Sequence, residues 1–222
     1  VLKAFLDFAR IENSAVERFT FPDVSVFKDR KVPEYYESKE IGLMLAQIDR
    51  ANPRGKRDYA MILIGARYGL RISDIKNLKL SDIDFVSNKI SIVQVKTGRS
   101  LMLDLLPDVG WAIIDYLKNG RPQTETSTVF VRHVAPYDSF GTHDNLAHII
   151  GKYATAAGVK GGAKSKSSFH MLRYGLASEL LKQDVSLTTI SGILGHSELN
   201  VTTLYTKIDV PQLIVCALEV PV

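Results

Sequence analysis

The sequence predicts an α+β fold that is mainly α: a helical domain with a small three-stranded antiparallel sheet near its N-terminal part. Three observations carry that expectation. Several segments hold apolar residues at helical spacing, as in RDYAMILIGARYGL (57–70) and FHMLRYGLASELLK (169–182). One window, Asp82 to Leu105, holds short alternating or β-branched runs separated by turn residues instead. Glycines stand where the helical runs stop, at Gly69, Gly120, Gly158 and Gly195.

Taken in order, VLKAFLDFAR (1–10) reads as the end of a helix, and residues 13–33, broken by Pro22 and Pro33, as a linker trailing from something upstream. The chain begins at Val1 rather than Met and reads as a fragment. Ser38, with Ile41 and Leu45, opens a helix; Arg57 to Leu70 forms a strongly apolar second one, and Ile72 to Leu78 a short third. Strands are expected at Asp82–Phe85, Lys89–Val95 and Leu101–Leu105, joined by turns at Ser87-Asn88 and at Thr97 to Ser100. Helices follow at Asp108–Lys118 and His143–Ala157, then a basic, Gly-rich loop, KGGAKSKSS. Helices at Phe169–Lys182, Leu187–Leu194 and Val201–Tyr205 and an apolar segment from Pro211 complete the chain.

Bulk composition narrows the partners. The chain has 222 residues, 45% hydrophobic, which suffices for a real core. No apolar run reaches the length of a membrane span, and no signal peptide is visible. The single cysteine, Cys216, excludes an internal disulfide framework and fits a reducing cytoplasm. A net charge of +4 permits a nucleic-acid partner without requiring one. The sequence has no P-loop, dinucleotide fingerprint, CxxC or HExxH. His143 and His148 are five residues apart, not the spacing of a metal pair on one helix face, and neither metal nor cofactor is expected.

Four places could carry chemistry. His170 and Arg173, three apart at a helix start, share a face. The helix dipole disfavours an Arg in the first turn, which suggests a held anion, and Lys160, Lys164 and Lys166 precede the pair. The bland alternative is a solvated His and Arg. Arg71 lies in the turn between two apolar helices, where a half-buried Arg needs a partner; Asp74 could orient it, or the two could form a purely structural bridge. Lys96 sits at a hairpin tip, either solvated or able to deliver an ammonium to a phosphate ester. Gly195 would end a helix, His196 would follow at a corner, and Asn200 would cap the short helix that presents Tyr205. Together these are Arg, Lys, His, Arg, His and Tyr, a set suited to stabilising a phosphodiester as negative charge develops.

In this order the motifs resemble the catalytic domain of the tyrosine recombinase (phage integrase) family. GLRISDIKNLKLSDIDF resembles its first arginine box, VKTGRSLMLDL its lysine hairpin, and HMLRYGLASELL its HxxR helix. LGHSELNVTTLYTK resembles its terminal box, with nine residues from His196 to Tyr205. The match runs from about Val32 to Asp209. The resemblance implies that Arg71 and Arg173 clamp the scissile phosphate and that Lys96 is the general acid for the leaving 5′-oxygen, with Arg99 a weaker rival. It implies His170 as acid/base, His196 as a phosphate ligand, Tyr205 as nucleophile and Asp74 as a supporting acid. Arg99, Lys164 and Lys166 are expected to touch DNA. Tyr174 stands where many relatives have His, outside the catalytic set.

Residues 32–222 are thus expected to form the catalytic domain with a C-terminal tail. Residues 1–31 are too short for the family's upstream core-binding domain, of which 1–10 would be the last helix. The implied function is site-specific DNA recombination or integration through a 3′-phosphotyrosine and a Holliday junction, without metal or ATP. The implied partners are double-stranded DNA recombination sites and a homo-tetramer, with no membrane, in the cytoplasm or nucleoid of a bacterium, archaeon or phage host. The apolar tail PQLIVCALEVPV would dock on a neighbouring subunit or on its own domain. Two alternatives remain at this level: a type IB topoisomerase-like relaxing enzyme, which the GH-to-Tyr box disfavours, and a catalytically silent DNA-binding module.

Overall fold

The chain divides into two units, Val1–Lys31 and Val32–Val222. The computed structural model describes residues 33–159 and 168–195, all in the second unit. The expected helix at 1–10, the loop lysines Lys160, Lys164 and Lys166, His196, Tyr205 and the apolar tail lie outside the described residues.

The described order is α1 (Ser38–Ala46), α2 (Pro53–Tyr68), α3 (Ile72–Lys76), a 3₁₀ turn (Leu80–Asp82), β1 (Ile83–Asp84), β2 (Lys89–Val93), β3 (Ser100–Asp104), α4 (Pro107–Asn119), α5 (Ala147–Ala156), α6 (Phe169–Lys182) and α7 (Leu187–Leu194). Among the described residues this is mainly helix plus one small sheet, as the periodicity predicts.

Helix α2 is the centre of the fold. It is buried nearly all round, through Gly55, Arg57, Asp58, Ala60 to Gly65 and Tyr68, which marks a core helix rather than an amphipathic surface one. It starts earlier than its apolar stripe suggests, because Asn52 caps it by accepting from the Arg54 N–H at 2.9 Å and Pro53 takes the first helical position. Helices α4 and α6 pack along it. Gly65 lets α6 come close: a Cβ there would lie 3.0 Å from Leu172 and 3.1 Å from Phe169.

The sheet runs β1-β2-β3, antiparallel throughout, with Ile90 opposite both Ile83 and Leu103. Ile90 and Ile92 point into the core while Lys89, Ser91 and Val93 face outward. Strand β2 ends at Val93, two residues before the expected end, because the Gln94 N–H donates to the Arg99 carbonyl and the Gly98 N–H to the Gln94 carbonyl, closing a turn. Gly98 sits at φ +66° in that turn.

One expectation is corrected. Helix α5 begins at Ala147, not at His143, because Asp144 is engaged by Arg132 and by the Gly141 N–H at 2.7 Å in a preceding turn. Helix α1 begins at Ser38 as expected, and Glu37 caps it, its N–H donating to Glu40 at 2.9 Å. The stretch between α4 and α5 has little regular structure, and side chains satisfy its backbone instead. Arg121 donates to the carbonyls of Thr126, Thr128 and Val129, and buried Lys76 donates to Gly141 and Thr142 at 2.6 and 3.0 Å. Buried Arg57 pairs with Asp58 at 2.7 Å and reaches the Val131 carbonyl, while Tyr153 donates to Asp58 at 3.0 Å.

Candidate active site

Three chain reversals build this region. Helix α2 ends at Gly69 in the left-handed conformation, φ +61°, and α7 ends the same way at Gly195, φ +64°. The third is the β2–β3 hairpin that carries Lys96. Gly69 is crowded: a Cβ would lie 2.7 Å from Leu194 and 3.1 Å from Leu176. The end of α2, the Arg173–Leu176 stretch of α6 and the end of α7 therefore meet at one point.

Arg173 joins them. It is 3% exposed, and its Nη1 donates to the Gly69 carbonyl at 2.6 Å while Nη2 donates to the Leu194 carbonyl at 2.8 Å. Both acceptors lie at helix C-termini, where unsatisfied carbonyls carry partial negative charge. Arg173, the fifth residue of α6, lies just past the first turn expected for it, and two other helix ends offset what remains of the unfavourable dipole of its own. The solvated His–Arg alternative fails for Arg173, whose guanidinium is held inside the protein. His170, one turn earlier, does keep an exposed ring, 6.4 Å from that of Tyr174.

Arg71 is the N-cap residue of α3 and is half-buried. Its Nη1 is buried without a hydrogen-bond partner. The expected Arg71–Asp74 bridge does not form among the described residues. Asp74, 2% exposed, turns instead to the hairpin, where its Oδ1 accepts the Val95 N–H at 2.9 Å, and its Oδ2 has no hydrogen-bond partner. Asp74 therefore supports the strand end before Lys96 rather than the guanidinium of Arg71.

Lys96 and Arg99 are exposed on the hairpin. The imidazole of His170 ionises below its ordinary range, first through desolvation against the protein and then through the positive charges of Arg173, Arg71 and Lys96. Every charge His170 feels in this way is cationic. The structure thus brings Arg71, Lys96, His170 and Arg173 into one positive field from three separate parts of the chain, while His196, Tyr205, Lys164 and Lys166 lie outside the described residues.

One residue of this region escaped the sequence reading. Gln94, 1% exposed, donates from Nε2 to the Leu194 carbonyl at 3.3 Å and accepts from Thr97 Oγ1 at 2.8 Å. Its sequence signal is slight: a polar residue at a position where the alternation of β2 would place an inward side chain.

Comparison with known proteins bears on the family and the fold. The profile of the phage integrase family matches residues 34–211. Protein y4rA of Sinorhizobium fredii, which bears the name integrase/recombinase, is 37% identical over 222 residues, 99% of this chain and 53% of its own length. The chain thus spans about half the length of that relative, 53%. Protein y4gC of the same organism, similarly named, is 35% identical over 86% of this chain and 97% of its own length. The tyrosine recombinase XerA of Thermococcus kodakarensis is 29% identical over 96% of this chain and 70% of its own. Among solved structures, that of XerA recombinase has a TM-score of 0.67 at 24% identity, covering 84% of this chain and 65% of the other. XerH bound to a palindromic difH substrate after cleavage also scores 0.67, at 22% identity, covering 84% of this chain and 53% of the other. At such identities the structures establish the fold; the profile and the relatives go further, and this chain belongs to the phage integrase family of tyrosine recombinases.

Proposed function

We propose that this chain is the catalytic part of a site-specific DNA recombinase or integrase that cuts and rejoins double-stranded DNA through a 3′-phosphotyrosine. The observation that carries the reading is that Arg173 is bound to the carbonyls of Gly69 and Leu194, while Asp74 and Gln94 tie the Lys96 hairpin to α3 and to the same Leu194 carbonyl, so that the elements bearing Arg71, Lys96, His170 and Arg173 meet. A scissile phosphate placed there would meet guanidinium donors on its non-bridging oxygens, which is where charge grows as phosphorus becomes pentacoordinate.

The roles are those that the family resemblance implies. A free tyrosine phenol ionises near ~10 and is a weak nucleophile at neutral pH. Tyr205 attacks in line, His170 takes part in proton transfer, and Arg71, Arg173 and His196 hold the phosphate. The P–O5′ bond breaks as Lys96 donates a proton to the leaving oxygen. The phosphotyrosine conserves the ester, so a second DNA strand can reverse the step without ATP, and two rounds pass through a Holliday junction. The assembly is a tetramer on paired sites, with the apolar C-terminal segment docking in cis or in trans. Among the described residues no helix is long and apolar enough to cross a membrane.

The test is a nicked suicide duplex carrying the recombination site. Wild-type chain is expected to accumulate a covalent 3′ adduct, and Tyr205→Phe to bind the same DNA without forming it. No adduct from wild type would refute catalysis and leave a DNA-binding module. Adduct formation with plasmid relaxation but no exchange between two sites would instead indicate a topoisomerase.

A further inference from the structure

Gln94 lies at the base of the hairpin turn that carries Lys96, and every polar group it has is used there. Its backbone closes the turn, through its N–H to the Arg99 carbonyl at 2.9 Å and its carbonyl from the Gly98 N–H at 2.8 Å. Its side chain binds one residue inside the turn, Thr97, and one far outside it, the Leu194 carbonyl, one hundred residues away in sequence. That carbonyl also accepts from Arg173. The Gln94 amide packs directly beneath Gly195, where a Cβ would lie 2.4 Å from both Nε2 and Oε1. Glycine at 195 is required both by this approach and by its φ of +64°.

One buried peptide oxygen therefore receives a donor from the lysine hairpin and a donor from the HxxR helix, at the residue just before Gly195-His196. A hairpin whose tip is exposed has no core packing at that tip to hold it. Its position is set by two pins at its base, Asp74 to Val95 N–H and Gln94 to Leu194 O. The first reaches helix α3, next to Arg71; the second reaches the end of α7.

We propose that Gln94 is a positioning residue for the reaction, a clip through the Leu194 carbonyl that sets the Lys96 hairpin against Arg173 and the end of α7. The inference rests on the recombinase reading and on Lys96 as proton donor to the leaving 5′-oxygen. Gln94 itself does not touch the DNA. Losing the clip lets the ammonium drift from the leaving oxygen while Arg71 and Arg173 still bind the phosphate. Cleavage should then fail at protonation of the leaving group and not at binding.

The experiment compares cleavage of a duplex with an ordinary 5′-oxygen at the scissile bond and one with sulfur in that bridging position. A thiolate leaves without a proton, so the sulfur substrate bypasses the general acid. For Gln94→Leu, cleavage of the oxygen substrate should drop roughly 10–100-fold, a fraction of what a positioned general acid contributes. Cleavage of the sulfur substrate should change less than ~3-fold, as should DNA affinity, on the same reasoning. Thr97→Val, which removes only the contact inside the turn, should give a weaker form of the same pattern. The sulfur-to-oxygen rate ratio is read within one preparation, so partial misfolding lowers both rates and leaves the ratio unchanged. A wild-type ratio in Gln94→Leu overturns the inference. Wild-type chain that forms no adduct on either duplex overturns the recombinase reading instead, and a Lys96→Ala variant that sulfur does not rescue overturns Lys96 as the donor.

Discussion

Replacing Arg173 with Ala separates two jobs that one guanidinium performs. The side chain is buried and donates to two helix-terminal carbonyls at 2.6 and 2.8 Å. In Arg173→Ala the Leu194 carbonyl keeps its longer bond from Gln94 at 3.3 Å, while the Gly69 carbonyl loses the guanidinium donor. A hydrogen bond from a charged donor contributes about 1.5–3 kcal/mol; losing the one to Gly69 outright, with about 0.5–1 kcal/mol more for the one to Leu194 that Gln94 partly replaces, places the net loss near 2–4 kcal/mol. Against a typical total of about 5–15 kcal/mol the variant should still fold. Its urea midpoint should fall by about 1–2 M for a slope of about 2 kcal/mol/M. Far-UV circular dichroism is the suitable probe, because Trp111, the single tryptophan, is 70% exposed and a poor reporter of packing. Cleavage of the suicide duplex should fall a further ~100–1000-fold beyond the unfolded fraction, as for a lost transition-state donor. Arg173→Lys should recover part of the stability, since an ammonium can serve one of the two carbonyls, but little of the cleavage, which needs the planar fork. An Arg173→Ala midpoint equal to wild type would refute the claim that this side chain holds the ends of α2 and α7 together.

Three other outcomes follow from the same contacts. Gly195→Ala must adopt φ +64° and meet the Gln94 amide at 2.4 Å, so thermal unfolding should show a loss of about 2 kcal/mol or more and the cleavage rate should fall with it. Asp74→Ala removes the acceptor of the Val95 N–H; calorimetry should record a loss of about 1–2 kcal/mol, and cleavage should drop while DNA affinity holds. His133, which shares a 3.3 Å hydrogen bond with Tyr116, is pushed down to about 4 by desolvation and by the charges of Arg57 and Arg54. Its folded pKa lies below the unfolded value, so its contribution is complete above about 6.5 and is lost as pH falls toward about 4. Discounted for solvent screening, that is about 1–2 kcal/mol, and urea midpoints at pH 7 and pH 4.5 should differ less in His133→Gln than in wild type.

Local signals were legible in the sequence because they are written within a turn or two of chain. Apolar periodicity placed α6 and α7 at their observed bounds, Gly69 and Gly195 were read as helix ends, and the alternation at Lys89 to Val93 located the central strand. Where the expectation missed, a local hydrogen bond competed with propensity: Asp144 held in a turn delayed α5, and Gln94 closing its own turn shortened β2.

The sequence by itself determined which chemistry-bearing residues exist, in what order, and on which elements, and the family follows from that. Only the tertiary structure decided how they are held. Arg173 finds its acceptors 104 and 21 residues away, and Gln94 finds its own at a separation of 100. Asp74 turns from Arg71, its neighbour in sequence, to Val95 in the hairpin. Periodicity reports how a segment sits relative to its own axis. A buried donor is satisfied only by whatever acceptor packing brings to it, and that depends on two helix ends, the body of α6 and a hairpin arriving together.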